Sequence, residues 1–439
     1  MIKPDILARA LTDYLPAQRW YAGDERPKSV EVVATELLRP PWPGLFWAIV
    51  AADGVTYQLL FGIRPEADAP AFLRGHEHEV VGVLDSEQGG ALVYEALLDA
   101  ELAMAFLNIV APHILDVERV RPITVEQSNS SIVFDDRHIL KLFRKLLGTA
   151  NPDVEVTAAL AAAGFTHIAQ PEGVWRRDGD DLAVVQEFLT SGVEGFALAL
   201  TSLRDVYDSR MDPAESGGDF AAEAERLGSM TADLHLALAA AFGTQPGDGN
   251  EWARVIDAQI DSINTEGIPV AELRQVAARL RALPDAGQAV RVHGDYHLGQ
   301  VMRTETGWHV LDFEGEPLRS RDERMRPTSP LKDVAGLLRS FHYATAVVLR
   351  EQLADEQEQL HSLAEAWEAR NREAFLAGYL GSEGIGRLLP PDRSSQLAVL
   401  TAFEVEKAVY ELSYELSYRP EWAAIPTEAL RRLAFTDKG

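Results

Sequence analysis

The sequence predicts an α+β chain in which two β-rich N-terminal pieces precede a long, mostly helical C-terminal part. Three observations carry this. Before residue 190, short apolar runs alternate with Asp-Gly and Asp-Asp turns, the chemistry of β-hairpins. Beyond residue 190, apolar residues recur three and four positions apart over stretches too long for strands. Among those stretches lies a polar segment at 292–317, VHGDYHLGQVMRTETGWHVLDFEGEP, that carries two short strand-like runs.

Residues 1–90 read as a separate N-terminal cap. Pro40-Pro41-Trp42-Pro43-Gly44 breaks the chain, and apolar runs at 45–50 and 55–63 flank Asp53-Gly54. Leu98, Leu102, Ala105, Phe106 and Ile109 then lie at helical spacing. Residues 91–190 read as a small lobe. Runs at 130–134 and 138–143 flank Asp135-Asp136, and a helix spans 154–163. A second hairpin joins 173–176 to 182–188 around Asp178-Gly179-Asp180. Residues 191–439 read as a helical lobe, with helices at 221–242, 252–263, 268–283, 330–357, 361–380 and 394–419. Short strands are expected at 301–303 and 308–312. In the first of these helices Leu227, Met230, Leu234 and Leu238 form one stripe, and His235 beside them reads as a core histidine.

The 439 residues are 46% hydrophobic, enough for more than one core. Against 68 acidic residues stand 41 basic ones, a formal charge of -27. Such a surface repels nucleic acid and anionic membrane, so neither is an expected partner. There is no cysteine, which removes disulfides, thiolate metal sites and cysteine nucleophiles and fits a cytoplasmic location. The start, MIKPDILARALTDYLP, puts charges and prolines where a signal peptide needs an apolar core. No apolar run reaches the roughly 18–20 residues of a membrane span.

The segment at 292–317 carries the chemistry. Asp295 stands five positions before the amide Gln300, and Asp312 follows in Asp312-Phe313-Glu314-Gly315. Moving a phosphoryl group onto an alcohol needs a base at the acceptor hydroxyl and oxygen ligands for Mg²⁺ on the triphosphate. Asp295 fits the base, and Gln300 and Asp312 fit the ligands. Protein kinases space an Asp and an Asn in the same way, with a second acid beyond. Upstream, Gln127, Ser128, Asn129, Ser130 and Ser131 form a polar stretch suited to cradling phosphates with N–H groups and hydroxyls. Lys141 lies in an apolar strand, where an unpartnered ammonium is costly, so a phosphate contact is expected, with Glu155 as its helix partner. Gln186, Glu187 and Phe188 end the last hairpin where a kinase hinge holds adenine. On the late helix Glu404, Lys407, Glu411 and Tyr414 share a face, and Trp422 follows Arg419-Pro420. Carboxylate, lysine and aromatic ring together suit a sugar.

Two other classes compete. His293, Asp295 and His297 alternate as zinc ligands do, which would make a hydrolase. The spacing to Gln300 and Asp312 has no place in that reading. A kinase-like scaffold without chemistry is the other, and it leaves lysine, base and both metal ligands without a purpose.

QSNSSIVF, ILKLF, NPDVEV, HGDYHLGQ and DFEGEP together resemble actinobacterial maltokinases and the related glucosamine kinases. Trp20-Tyr21-Ala22-Gly23, SPLKDVAGLLRSF from Ser329 and FEVEKAVYELSYELSYRPEWAAIP from Phe403 extend the likeness along nearly the whole chain. The resemblance implies a bilobal, protein-kinase-like fold of the aminoglycoside phosphotransferase type with an N-terminal cap domain. It implies ATP and Mg²⁺, Asp295 as base, Gln300 and Asp312 on the metal, and Lys141 with Glu155 at the phosphates. It also implies a small sugar as acceptor; a monomer is the working expectation. Tyr296 stands where maltokinases have leucine, and Asp24-Glu25 follow Trp-Tyr-Ala-Gly in place of basic residues. These departures lean towards a cationic amino sugar, glucosamine, giving glucosamine 6-phosphate. Maltose giving maltose 1-phosphate is the alternative, with an aminoglycoside or other small alcohol behind it.

Overall fold

The computed structural model describes residues 2–23, 25–86, 89–123, 129–146, 148–263, 267–352 and 354–435. The chain divides into two compact units, Met1–Ala158 with Ala169–Thr190, and Ala159–Ile168 with Ser191–Gly439. The α+β class expected from the sequence is the one observed.

The first unit opens with α1 (Pro4–Tyr14) and holds two five-stranded antiparallel sheets. The first contains β1 (Val30–Arg39), β2 (Gly44–Ala52), β3 (Val55–Pro65), β4 (Val80–Ser86) and β5 (Gly89–Glu95), in the order β1-β2-β3-β5-β4. The hairpin around Asp53-Gly54 forms its centre, with Val55 opposite Ala52. After α2 (Ala100–Val110), the second sheet has β6 (Val120–Ile123), β7 (Asn129–Phe134), β8 (His138–Phe143), β9 (Pro171–Arg177) and β10 (Asp180–Glu187), in the order β6-β7-β8-β10-β9. The helix α3 (Pro152–Ala162) falls between β8 and β9.

The expected border at residue 90 falls inside β5, and a single core runs across it. Leu45, Trp47, Leu60 and Tyr94 of the first sheet cluster with Phe106 of α2 and with Ile132, Leu142 and Trp175 of the second. Trp47 and Trp175 meet edge to face, 5.5 Å between ring centroids. Gln58 is fully buried in β3 and survives there because every polar atom is used. Its oxygen accepts from Trp47 Nε1, and its amide donates to the carbonyls of Phe143 and Leu182. Arg144, also buried, pairs with Glu95 at 2.7 Å.

The second unit is mostly helical. Its helices are α4 (Gly195–Ser209), α5 (Ala221–Phe242), α6 (Gly249–Ser262), α7 (Val270–Arg281), α8 (Arg321–Met325), α9 (Leu331–Glu351), α10 (Ala354–Gly381), α11 (Arg393–Tyr418) and α12 (Ala424–Leu433). Two small sheets join them: β11 (Val193–Glu194) with β14 (Val301–Thr304) and β15 (Gly307–Val310), and β12 (Thr244–Pro246) with β13 (Gln288–Val290). A Cβ on Gly228 of α5 would strike the Phe375 carbonyl, and one on Gly378 of α10 the Glu225 carbonyl. These glycines let the two backbones touch. The helix expected at 330–357 ends sooner, at Glu351, where Gln352 turns extended. Among the described residues no helix is long and apolar enough to cross a membrane.

Candidate active site

The loop that carries Asp295 is held from below by α9. Asp333, buried in the first turn of α9, accepts from the backbone N–H of His293 and Gly294 at 2.8 and 2.9 Å. It also meets His235 Nε2 at 3.1 Å, and His235 Nδ1 lies 2.9 Å from the Tyr379 hydroxyl. His235 is the core histidine the sequence predicts. Burial would push the Asp333 carboxyl up, but these partners hold it below its usual value. Gly336, one turn on, sits under the Tyr296 carbonyl, where a Cβ would come within 2.5 Å. Both loop histidines are engaged by local backbone. His293 Nε2 lies 2.8 Å from the Leu311 carbonyl, and His297 Nδ1 accepts from Gly299 N–H. That bond puts the proton of neutral His297 on Nε2.

Asp295 lies near Lys407 of α11, whose ammonium donates to Oδ1 at 2.8 Å. Burial alone would raise the Asp295 carboxyl; Lys407 outweighs it, with help from His297, and holds it at about 2. It is ionised throughout the neutral range, as a base must be. The opposite balance holds His297: burial, with Lys407 and His293 near, lowers it to about 4 despite Asp295. Lys407 bonds a second acid, Glu316, also at 2.8 Å. The sequence gives Glu316 no distinguishing spacing.

Gln300 and Asp312 meet, with Gln300 Nε2 donating to Asp312 Oδ2 at 3.1 Å. With the Gln300 amide turned to present its oxygen, the two side chains would offer oxygens that a hard cation such as Mg²⁺ accepts. Asp312 is exposed and adopts φ 61, a left-handed conformation costly for a residue with a Cβ. Such strain clusters at functional sites.

A pocket of about 550 Å³ opens beside Asp295. Lys407, Glu411, Tyr414 and Trp422 line it, four of the five residues the late helix offers. Glu404 does not. It is buried and bound to Arg372 of α10 at 2.8 Å, so the face read from helical spacing begins one turn too early. Tyr343, Tyr410 and Glu415 also line it. Tyr410 and Glu415 follow Lys407 and Glu411 by one helical step, so a wider face would have included them; Tyr343 comes from α9 and carries no signal. Two acids of the pocket already hold cations. Glu411 accepts from Arg339 at 2.7 Å, and Glu415 from Arg419 at 2.7 Å. Guanidinium groups of Arg350 and Arg419 lie 4.5 and 5.4 Å from the centre of the Trp422 ring.

Tyr296 is not part of this pocket. It is buried, with its hydroxyl 2.8 Å from that of Thr231 in α5. The inference about the acceptor drawn from it therefore falls away. Glu25 is exposed in the first unit, and Asp24 lies outside the described residues.

The residues expected at the nucleotide belong to the first unit. Gln127 and Ser128 lie outside the described residues. Asn129, Ser130 and Ser131 begin β7, with Ser131 buried and opposite Lys141. The Ser130 hydroxyl accepts from Arg144 Nε at 2.8 Å. Lys141 is half-buried at the middle of β8, between Ser131 and Val184. Glu155 is exposed on α3, and the structure forms no ion pair between it and Lys141. At the expected hinge Gln186 is buried, and the N–H groups of Glu187 and Phe188 go to the carbonyls of Gln170 and Arg137.

A part-buried, ionised carboxylate at a pocket, with an amide–acid pair beyond it, suits an enzyme that transfers a group to an alcohol. The model of the phosphotransferase enzyme family matches residues 119–376, more than half the chain, and the chain belongs to that family. The maltokinase N-terminal cap domain matches residues 14–99. The chain is 29% identical to a glucosamine kinase of Streptacidiphilus jiangxiensis, over 71% of this chain and 73% of that protein. It is also 29% identical to one of Mycolicibacterium smegmatis, over 71% and 79%. A solved structure of a glucosamine kinase in complex with glucosamine, ADP and inorganic phosphate shares the fold. Its TM-score is 0.69 at 22% identity, covering 93% of this chain and 94% of that one.

Proposed function

We propose that this protein is an ATP-dependent sugar kinase whose acceptor is glucosamine. The observation that carries the reading is Asp295, held ionised beside a pocket walled by Glu411, Tyr414 and Trp422. Asp295 takes the proton of the acceptor hydroxyl as its oxygen bonds to the γ-phosphorus of ATP. The bond from that phosphorus to the bridging oxygen breaks, and ADP leaves. Mg²⁺ held by Gln300 and Asp312 would neutralise charge on the phosphates. Lys141, Glu155 and the stretch 127–131 are proposed for the phosphates, and residues 186–188 for adenine.

The pocket offers the acceptor both charged groups and aromatic rings. Local charges alone do not select it: Lys407 lies between Asp295 and Glu316, and Glu411 and Glu415 each hold an arginine. Glucosamine is proposed with its 6-hydroxyl at Asp295 and its amine towards the later turns of α11. The named relatives support the same acceptor. The match to the maltokinase cap domain favours maltose as the second reading.

An ATP-consumption screen over glucosamine, glucose, maltose, trehalose and aminoglycosides tests this. The kcat/KM for glucosamine is expected to exceed those for glucose and maltose by at least ~10-fold, about 1.4 kcal/mol. N-acetylglucosamine is expected to lose most of that margin. A preference for maltose would move the assignment to the second reading.

A further inference from the structure

Two of the N–H groups of Lys407 are committed to carboxylates. An ammonium carries three. One goes to Asp295 Oδ1 and one to Glu316 Oε1, and the nitrogen lies 4.9 Å from the centre of the Tyr410 ring. Glu316 is itself almost fully buried, and its other oxygen is taken by Arg319. Arg319 pairs with Glu406 at 2.8 Å, and Glu406 with Lys332 at 3.0 Å. Charges thus alternate from Asp295 through Lys407, Glu316, Arg319 and Glu406 to Lys332. The row ties the loop carrying Asp295 to α11 and α9 and to the segment after Asp312. The lysine that reads from the sequence as an acceptor ligand is thus also tied to two carboxylates.

We propose that Lys407, backed by Glu316, is a positioning residue for the base: it fixes Asp295 Oδ1 to α11 and reserves Oδ2 for the proton of the acceptor hydroxyl. The proposal rests on Asp295 being that base. Oδ2 gains the proton as the new oxygen–phosphorus bond forms, and Lys407 keeps all its protons throughout. The groups facing Asp295 are Lys407 and Tyr410 from α11, His293 and His297 from its own loop, and Glu316. Without Lys407, burial and the Glu316 charge are left to act on the carboxyl together, and both favour its protonation.

The test compares Lys407→Met, Lys407→Gln and Lys407→Arg in the full chain. Lys407→Met is expected to lower kcat at pH 7 by ~10²-fold or more, comparable to losing a general base, with KM for ATP unchanged. The acid limb of its kcat profile is expected to rise by about 1–3 pH units, the usual influence of one adjacent opposite charge. Lys407→Arg should restore much of both, and Lys407→Gln should repeat the loss if the methionine variant does not fold. A raised acceptor KM with unchanged kcat and pH profile would make Lys407 a sugar ligand and overturn the proposal. The ¹³C resonance of the Asp295 carboxyl, assigned with Asp295→Asn, gives a readout without substrate. Its titration midpoint is expected to move up in Lys407→Met and Lys407→Gln, and an unmoved midpoint overturns the proposal. That measurement decides the matter even if the wild type turns over no acceptor in the screen, a result that would count against the function alone.

Discussion

Asp295 and Asp312 are two carboxylates of one short segment, and the fold treats them in opposite ways. Asp295 is part-buried, bonded to an ammonium and held at about 2 by it. Asp312 is exposed, meets an amide and a backbone N–H, and takes up a costly left-handed backbone. A base must be ionised without being solvated, so it needs a built-in cation. A ligand for a metal that arrives with a nucleotide must stay open, so its geometry is set by the backbone instead. The difference is the one that the two proposed roles, base and metal ligand, would call for.

The largest effect that can break this contrast is on turnover. Asp295→Asn is expected to lower kcat by ~10²–10⁴-fold, while nucleotide binding survives. Near wild-type kcat in steady-state assays would remove Asp295 as the base. Asp312→Ala is expected to raise the Mg²⁺ concentration for half-maximal rate on the order of 10–100-fold, with the acceptor KM nearly unchanged. An unchanged metal requirement would sink its assignment as a ligand.

Stability should separate the pair by sign. Asp295→Asn leaves Lys407 short of a partner and is expected to cost about 1–3 kcal/mol in denaturant unfolding. Asp312→Gly releases the left-handed strain and is expected to exceed Asp312→Ala in stability by about 1 kcal/mol. Equal stabilities of the glycine and alanine variants would show that the backbone there is unstrained.

The smallest effect is on pH. Asp295 has a depressed pKa, so its stabilisation is complete above the unfolded value of roughly 3.9 and is lost as pH falls through about 2. The stability gap between wild type and Asp295→Asn should hold from pH 7 to about 5 and narrow only below about 4. His297 is also depressed, to about 4, so protonating it destabilises the fold as pH falls from roughly 6.5. His297→Gln should flatten the stability curve between those two values. A gap for Asp295→Asn that closed by pH 6 would mean its carboxyl is not held low.

Local signals were legible and distant ones were not. The hairpins at Asp53-Gly54, Asp135-Asp136 and Asp178-Gly179 appear where their turns demand left-handed residues. β1, β4 and β5 lack the Asp-Gly or Asp-Asp turn that marks the other hairpins, and only the central hairpin of their sheet was predicted. In the site, Asp295, Gln300 and Asp312 stand out because the chemistry fixes their spacing in a short segment. Helical spacing placed Lys407, Glu411 and Tyr414 on one face, but it cannot say which turn meets a pocket and which meets another helix. Arg372 claims Glu404 from α10, hundreds of atoms of chain away in sequence terms. Tyr296 misled for a related reason: its neighbours in the loop face the pocket, while its own ring packs inward on α5. Glu316 becomes meaningful only through Lys407, a contact between distant residues that no local pattern records.

During synthesis the five strands of the first sheet are complete once Glu95 has left the ribosome. The partners of its inner face are not. Phe143 and Leu182, which accept from Gln58, and Trp175, which covers Trp47, are made later, after α2 and most of the second sheet. Until then the nascent chain carries an open apolar face and an unanswered buried amide. A fragment ending near residue 95 should therefore clump, and folding of the first unit should wait for β10. Slowing translation between β5 and β10 would lengthen the interval in which a chaperone, or another nascent copy, can reach that face.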